Sequence, residues 1–434
     1  MRISSLTGAR IAVAAAFFAQ GFVFISLTTR LPRFLEQWGM DEVALSLLLL
    51  MMVLLAGVGS LVAERAAHRV GSAPMLRLGL ALMVVAVPAI TLAPAVGFFV
   101  GGVALYGVAL GLVDATSNMQ AVDLEHRYGR PILPSSHGYW TTGGIIAAAI
   151  ALATGHLSPE VGAFVAVVPL AVAFARFVPR AAARTDVVPG VDVAPGLTPG
   201  GASETPNHAA PSDAAPVPAP IPWKPIWLVG AGLVVFYMVD TTASTWGPVY
   251  LARSFDAPGN LVALATFPYL VTSIVVRLAG GALVTRFGVT PLLRIGAVVA
   301  SGALALVALA PTWQVAVAGF TVLGAAVALV APLSFSAAGR IAAGPTAEGT
   351  AAEGTRAEGT GADSTTPAEP DRARTDAVIA RFNQFNYVGA LLGAVLTGFV
   401  GADNLRLGFA LPAVLVLALV PLAPAFARGA LSRR

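Results

Sequence analysis

Gly107-Val-Ala-Leu-Gly-Leu-Val-Asp114, in the first half of the chain, is closely matched in the second half by Gly324-Ala-Ala-Val-Ala-Leu-Val-Ala331. Both segments lead to a Gly-Arg pair, Gly129-Arg130 and Gly339-Arg340. The match indicates an internal repeat. The first segment ends in an acid and the second in alanine, so the carboxylate is not part of the repeated pattern and needs an explanation of its own.

The amino-acid composition is that of a membrane protein. Of the 434 residues, 57% are hydrophobic and only 11% are charged, whereas soluble domains are about 25% charged. Cysteine is absent, which excludes disulfides, iron–sulfur clusters and thiolate metal sites. The sequence pI is about 9.7, but the basic residues lie in loops between apolar spans. We interpret them as topology signals and not as a nucleic-acid surface.

Twelve apolar segments are long enough to cross a bilayer, which takes about 20 residues. They form two groups of six, so the sequence predicts an all-α membrane protein of two six-helix repeats, related by a pseudo-two-fold axis along the membrane normal. We interpret the first segment as an uncleaved anchor, because it is too long for a signal peptide. The predicted spans are residues 10–29, 43–63, 75–93, 96–120, 136–155, 160–178, 225–250, 259–284, 290–310, 312–337, 377–400 and 405–427.

Two segments lack apolar periodicity. Residues 180–224 are rich in Pro, Gly, Ala and Ser, and we predict a disordered cytoplasmic linker between an N-terminal half at 1–179 and a C-terminal half at 225–434. Residues 344–375 repeat Ala-Glu-Gly-Thr, which predicts a floppy cytoplasmic insert. Neither segment is assigned a function.

The distribution of Lys and Arg predicts the orientation of the chain. With the N-terminus inside, only four of the 26 basic residues fall in outward loops. Positive residues accumulate on the cytoplasmic side of bacterial inner-membrane proteins, so we predict that both termini are cytoplasmic. The outward residues are Arg30, Arg33, Arg253 and Arg406.

The loops that follow the second span of each half are also alike. Both combine glycines with arginines at similar spacing, although an acid occurs only in the first loop. The residues concerned are Gly59, Glu64, Arg65, Arg69 and Gly71 in the first half and Gly281, Arg286 and Gly288 in the second. These loops resemble the Gly-x-Leu-x-Asp-Arg-x-Gly-Arg signature of the major facilitator superfamily, and the resemblance implies that they belong to a gate between the halves.

Further segments resemble one subgroup of that superfamily, the fucose-permease-like, sugar-type bacterial transporters. They include Phe17-Phe-Ala-Gln-Gly21, Arg30-Leu-Pro-Arg33, Ser136-His137-Gly-Tyr-Trp140 and Asp240 with Trp246. The resemblance covers nearly the whole chain outside the two inserts. It implies the major facilitator fold and a transporter of the inner membrane.

The same resemblance bears on the fourth and first spans. Fucose symporters carry an acid four residues before an asparagine in the fourth span, and Asp114 and Asn118 match this pair. They also carry an acid in the first span, where this chain has Gln20. The resemblance therefore implies proton or solute contacts at these positions, with no second carboxylate in the first half.

A charge at bilayer depth costs about 2.5–3.5 kcal/mol, so an intramembrane acid is by default a functional candidate. Asp114 and Asn118 lie four residues apart, on one helix face. We interpret Asp114 as a proton-coupling or solute-binding group. The alternative is a latch in which an arginine pairs with it.

Asp240 is the other deep acid, and we predict coupling and solute contact for it. Trp246 lies beyond it, and an acid beside an aromatic ring suits either a sugar or a cation. Two interpretations of Trp246 stay open: solute stacking, or the aromatic belt at the membrane interface.

The remaining polar candidates lie on three other spans. His137 and Trp140 open the fifth span and are candidate solute-binding residues. For the histidine, a proton carrier, a helix cap and a partner for a loop carboxylate all stay open. Asn383, Asn386 and Tyr387 form a polar patch in the eleventh span, and the amides need partners from neighbouring helices or from a solute. Arg277 in the eighth span is interpreted as snorkelling to the cytoplasmic face.

No nucleotide-binding or nucleophile–base motif occurs, so neither ATP use nor catalysis is predicted, and no cofactor or metal site. We predict a monomeric, proton-coupled secondary transporter of a small polar, sugar-like solute. A proton-antiport exporter of amphiphilic compounds is the alternative. A non-transporting membrane sensor or scaffold is the remote one.

Overall fold

The computed structural model describes residues 3–128, 132–155, 157, 159–178, 222–343 and 369–427, and within these ranges all regular structure is helical. Most of the predicted linker, Gly129-Arg130 and most of the predicted insert lie outside the described residues. Both segments are shorter than the sequence predicts. The predicted linker 180–224 ends earlier, because Trp223 and Lys224 already form the first turn of a helix. The predicted insert 344–375 also ends earlier, because residues 369–375 belong to the helix that ends at Val400.

The described helices follow one another along the chain in an order that matches the predicted spans. A π-helical turn, Thr242–Trp246, joins α8 to α9, and short 3-10 segments occur at Pro159–Ala166, Leu261–Ala265 and Val416–Ala418. The helices are α1 Ile3–Thr28, α2 Leu31–Trp38, α3 Glu42–Val70, α4 Ser72–Thr91, α5 Val96–Tyr128, α6 Leu133–Thr154, α7 Val167–Ala173, α8 Trp223–Thr241, α9 Gly247–Phe255, α10 Phe267–Phe287, α11 Val289–Ala308, α12 Trp313–Val327, α13 Val330–Ala343, α14 Glu369–Val400, α15 Leu405–Leu415 and α16 Leu419–Phe426.

In the described part of the chain, nine stretches of helix are long and apolar enough to cross a membrane. Two shorter apolar helices, Glu160–Ala173 and Gln384–Val400, coincide with the sixth and eleventh predicted spans. The fifth predicted span corresponds to α6, whose 22 residues give it a length of about 33 Å. The helices therefore accommodate all twelve predicted crossings.

The outer surface of the helices is apolar, as a bilayer requires. Leu278, Phe174 and Leu309 are 83%, 81% and 78% exposed. A soluble monomer rarely exposes contiguous apolar patches of large side chains. The chain is therefore a multi-pass membrane protein whose exposed apolar side chains face lipid.

The repeat found in the sequence recurs as matching helix contacts. A Cβ on Gly107 of α5 would press on the carbonyl oxygen of Met52 in α3, and a Cβ on Gly324 of α12 would press on that of Tyr269 in α10. The interval from Gly107 to Gly324 is the same as that from Met52 to Tyr269. Glycine at these positions allows two helix backbones to touch, so the opening sequence match reflects one packing contact built twice.

The loops after α3 and α10 adopt the same backbone conformation. Gly71 has φ 93° and ψ 159°, and Gly288 has φ 78° and ψ 162°. Each amide donates to the carbonyl four residues earlier, Ala67 and Val284 respectively. Residues with a side chain rarely adopt this conformation, so both glycines are needed to reverse the chain between two helices.

All four arginines predicted to face outward bind carbonyl oxygens near the ends of helices. Arg30 donates to Ser26 at 2.7 Å, and Arg33 donates to Gly155 and Leu157. Arg253 donates to Met40 at 3.0 Å and Arg406 to Ala308 at 3.2 Å. Cations suit helix carboxyl ends, where carbonyls lack partners and the helix dipole is negative.

The N-terminal helices (α1–α7) and the C-terminal helices (α8–α16) touch closely at this outer face. A Cβ on Gly398 of α14 would collide with Ser46 of α3 and with the ring of Trp246. Asn260 donates to the carbonyl of Leu152 at 3.4 Å, across the same seam. The side that the sequence predicts to face outward is therefore closed in this conformation.

Candidate functional site

Asp114 is held by side chains from two other helices. Gln20 Nε2 of α1 donates to Oδ1 at 3.1 Å, and the Tyr387 hydroxyl of α14 donates to Oδ2 at 2.8 Å. Both carboxylate oxygens thus accept hydrogen bonds, as the ionised form does. No arginine contacts this carboxylate in the described residues, so the structure does not bear out the arginine latch. Gln20, Asp114, Asn118 and Tyr387 are called the Asp114 cluster below.

Asn118 lies one turn after Asp114 and folds back on its own helix. Its Nδ2 donates to the carbonyl oxygen of Asp114 at 2.9 Å, while its Oδ1 is buried without a partner. Gln20 Oε1 is in the same situation. Each buried unsatisfied acceptor costs about 1–3 kcal/mol, so the cluster has two acceptors to offer to a hydrogen-bond donor.

Asp240 lies near the end of α8, two residues before the π-helical turn begins at Thr242. The Tyr269 hydroxyl of α10 donates to its Oδ1 at 2.6 Å. The Arg277 guanidinium, also on α10, interacts electrostatically with this carboxylate. Asp240 therefore has a positive neighbour, which Asp114 lacks among its hydrogen-bond partners.

Arg277 binds groups inside the protein and does not reach out of it, so the snorkelling interpretation is wrong. Its Nη1 donates to Thr141 Oγ1 of α6 at 3.0 Å, and its Nε donates to the Ala328 carbonyl at 3.1 Å. The first of these bonds links a C-terminal helix to an N-terminal one. A buried charge needs such partners, and they fix the guanidinium between the halves.

His137 and Trp140 lie on α6, next to these polar groups. The His137 ring contacts Phe17 edge-on with centroids 5.2 Å apart and stacks on Phe335 at 5.9 Å. Its Nε2 is buried without a hydrogen-bond partner, so the structure gives no support to a capping role for that atom. Trp140 is partly buried against Phe24. His137 thus lies between an N-terminal and a C-terminal helix.

Trp246 lies deep in the packing between helices. It is fully buried, and its Nε1 donates to the carbonyl of Ala394 in α14 at 2.9 Å. The ring fills the space beside Gly398. This placement favours a packing role over both solute stacking and the interfacial belt.

Of the polar residues predicted in the eleventh span, the structure describes the side chains of Asn386 and Tyr387. Asn386 is partly buried on α14, next to Tyr387. The side chain of Asn383 lies outside the described part. Tyr387 belongs to the polar patch predicted in this span, and it binds Asp114 directly, so a neighbouring helix supplies its partner. Tyr269 was not predicted, because a tyrosine in an apolar span gives no sequence signal of its own.

The predicted gating-loop residues separate into packing and polar groups. Gly59 allows α3 to touch the Val108 carbonyl of α5, whereas Gly281 faces open space. Arg65 reaches only its own helix, at Leu61, and Arg286 lies over the neighbouring Phe287 ring. Arg69 is exposed at the end of α3. Glu64 is the exception, because it interacts electrostatically with Tyr387 and so reaches the Asp114 cluster.

Comparison with known proteins was made at the level of sequence and of structure. No family model matches the chain. It is 26% identical over 326 residues to the uncharacterized transporter y4wD of Sinorhizobium fredii, covering 75% of this chain and 81% of that protein. It is 21% identical over 420 residues to an uncharacterized MFS-type transporter of Yersinia pestis, covering 95% and 94%.

Solved transporters share the fold at low sequence identity. The nucleoside transporter NupG matches with a TM-score of 0.61 at 13% identity, covering 98% of this chain and 100% of that one. A bacterial homologue of the human lysosomal transporter Spinster gives 0.62 at 13%, covering 99% and 97%. The Escherichia coli fucose:proton symporter FucP gives 0.52 at 15%, covering 96% and 98%.

These findings define a multi-pass membrane protein with the major facilitator fold. In sequence and structure the chain is similar to transporters of the major facilitator superfamily, not to enzymes, and FucP of the fucose-permease type is among the proteins that share its fold.

Proposed function

We propose that this chain is a proton-coupled secondary transporter that moves a small polar, sugar-like solute by alternating access, with Asp114 as its main proton site. The observation that carries the proposal is the pair of neutral partners of Asp114. Gln20 and Tyr387 bind its two oxygens and bring no opposing charge. A single proton therefore changes the net charge of the cluster, at a depth where charge is expensive.

Asp240 is proposed as a secondary, charge-balanced site. It receives the Tyr269 hydroxyl and lies near Arg277, which offsets its charge. Arg277 in turn donates a hydrogen bond to Thr141 of α6, in the N-terminal half. We propose that Asp240, Tyr269 and Arg277 hold the two halves together. With His137 and Trp140 they also form part of the solute site.

The proposed solute class follows from the hydrogen-bond acceptors that lack donors. Gln20 Oε1, Asn118 Oδ1 and His137 Nε2 are buried without partners. A solute with several hydroxyl groups would supply donors to such atoms, and sites of this kind reject analogues without them. The relatives named for fucose and for nucleosides both handle molecules with sugar rings, which supports a hydroxyl-rich cargo here.

The contacts between the halves support alternating access. They occur at the outer face, where Gly398 meets Ser46, and at α6, where His137 stacks on Phe335. Alternating access needs such contacts on both sides of a central site, made and broken in turn. We assign this conformation to a closed intermediate of the cycle.

Orientation and assembly belong to the same proposal: a monomer in the bacterial inner membrane, with both termini, the linker and the insert in the cytoplasm. The native chain has no cysteine, so single cysteines report their side unambiguously. Cysteine at Val70 should resist a membrane-impermeant maleimide in intact cells, whereas cysteine at Asp256 should react. The reverse pattern would contradict the orientation.

The deciding experiment uses purified protein in proteoliposomes that contain a pH-sensitive dye. A panel of sugars, polyols, nucleosides and amino acids is added, and proton movement is recorded with solute uptake. Asp114→Asn should abolish solute-driven proton movement. Asp123→Asn is the matched control on the same helix, because among the described residues Asp123 pairs with Arg127 at the surface, and its loss should not affect coupling.

Two results would overturn parts of the proposal. Unchanged coupled transport in Asp114→Asn would remove Asp114 as the proton site. Proton movement driven by lipophilic cations and by none of the hydroxyl-rich solutes would indicate an antiporter of amphiphilic compounds instead.

A further inference from the structure

We propose that Tyr387 is the residue through which the charge on Asp114 controls contact between the N-terminal and C-terminal helices. The inference rests on the proposed proton coupling at Asp114 and adds the link from the proton to the conformational change. Tyr387 acts here as a positioning residue: it binds the carboxylate across the interface and need not touch the solute.

The hydrogen bond between Tyr387 and Asp114 joins the two repeats directly. Asp114 belongs to α5 and Tyr387 to α14, and the hydroxyl lies 2.8 Å from Oδ2. A hydrogen bond to an ionised acceptor is shorter and about twice as strong as one between neutral groups. The strength of this link between the halves therefore depends on whether Asp114 carries its charge.

Four helices near Asp114, namely α1, α3, α8 and α14, contribute polar groups to the same network. Gln20 of α1 binds the other oxygen, and Tyr237 of α8 interacts with the charge of Asp114. Ser60 and Glu64 of α3 act on Tyr387, the first by a hydrogen bond and the second through its charge. The titratable neighbours are thus Glu64, Tyr237 and Tyr387. None of them is cationic, so nothing in this set replaces the missing attraction once Asp114 is neutral.

Protonation changes the hydrogen-bond pattern in a defined way. The proton occupies one carboxyl oxygen, and no covalent bond is otherwise made or broken. The Tyr387 hydroxyl then faces a neutral carboxyl group, and its bond weakens to an ordinary one. The hydrogen bond between Tyr387 and Ser60 of α3 does not depend on that charge, and it also crosses between the halves. Protonation therefore weakens the link from α14 to α5 and leaves the link from α14 to α3.

The position of Tyr387 along α14 decides which side opens. Gly398 lies about three turns, or about 16 Å, further along the same helix and closes the outer seam against Ser46. The contact of Tyr387 with Asp114 lies inward of that seam. Weakening it leaves the outer closure intact, so protonation of Asp114 favours opening toward the side we predict to be cytoplasmic.

The test measures the inner distance between the halves in the full-length protein. Ser135 and Ser336 are exposed residues beside the contact of His137 with Phe335. Ser135→Cys and Ser336→Cys provide the only two thiols in the chain, and nitroxide labels on them report separation by electron paramagnetic resonance. In the labelled protein, lowering the pH should increase the population with long distances.

Three variants then separate the possible causes. Asp114→Asn should show the long distance at every pH. Tyr387→Phe should also shift the population to the long distance and lose at least two thirds of its pH-dependent change. Tyr106→Phe is the matched control: its hydroxyl is buried on α5 without a partner, and the wild-type transition should persist. A thermal melt of each variant establishes that it is folded.

The inference is overturned if Tyr387→Phe keeps the full transition while Asp114→Asn abolishes it, because the charge would then act through another group. It is also overturned if Asp114→Asn remains closed at all pH values. A different result would contradict the proposed function itself: wild-type proteoliposomes would show no solute-driven proton movement.

Discussion

Gly398 of α14 lies against Ser46 of α3 so closely that no side chain fits between them. The same glycine also borders the ring of Trp246. One position on α14 therefore contacts two other helices, one from each half, and closure of the outer face depends on its lack of a Cβ.

Gly398→Leu should prevent this closure and hold the outer side open. Solute uptake in proteoliposomes should fall by at least tenfold, and a cysteine at Thr154, on the outer seam, should react faster with an impermeant maleimide. Gly302→Leu is the control, because a Cβ there meets nothing within 4 Å. Equal uptake in the two variants would show that the seam does not need to close.

Arg277 and Asp240 should behave as an energetically coupled pair. Arg277→Met removes the positive neighbour of Asp240 and the donor to Thr141. The variant loses this electrostatic interaction together with the hydrogen bonds to Thr141 and to the Ala328 carbonyl, so Tm should fall. Adding Asp240→Asn to Arg277→Met should restore part of the loss, since no buried charge is left alone. Additive effects in this double-mutant cycle would argue against coupling.

Gly71→Ala and Gly288→Ala should each destabilise the protein. Both glycines adopt a positive φ that costs other residues about 1–3 kcal/mol. The two losses should be similar, because the two loops have nearly the same conformation. Gly302→Ala, inside a helix, should leave Tm unchanged or raise it slightly. A large loss for only one of the two loop variants would contradict their equivalence.

Deletion of residues 345–367 should leave transport intact. The segment repeats Ala-Glu-Gly-Thr and is too polar to bury a core. Solute uptake and Tm of the shortened protein should match those of the full chain within about twofold and about 2 °C, the latter corresponding to a small change in free energy of unfolding. Loss of activity with an unchanged Tm would favour a sensor or scaffold that uses this segment.

The repeat and the helical architecture were accessible from the sequence because they depend on local patterns. Apolar length predicts the spans, and the match between Gly107 and Gly324 marks a contact that recurs in space. The reversal at Gly71 and Gly288 likewise follows from residues within one loop. Such features need no knowledge of which helices become neighbours.

The partners of the charged groups were not accessible in this way. Asp114 was recognised as a candidate, but its bonds to Gln20 and Tyr387 depend on how α1, α5 and α14 pack. Arg277 was misread as a snorkelling residue because the sequence does not reveal the Thr141 hydroxyl and the Ala328 carbonyl that receive it. Trp246 could not be assigned for the same reason.

The alignment of Asp114 with Ala331 has a consequence for how the two repeats respond to protons. The repeats are related by an axis along the membrane normal, so exchanging them turns the molecule within the membrane and keeps each side where it is. Here one repeat carries a carboxylate with neutral partners and the other carries an acid beside an arginine. A change in proton concentration therefore acts unequally on the two repeats, although their helices pack alike.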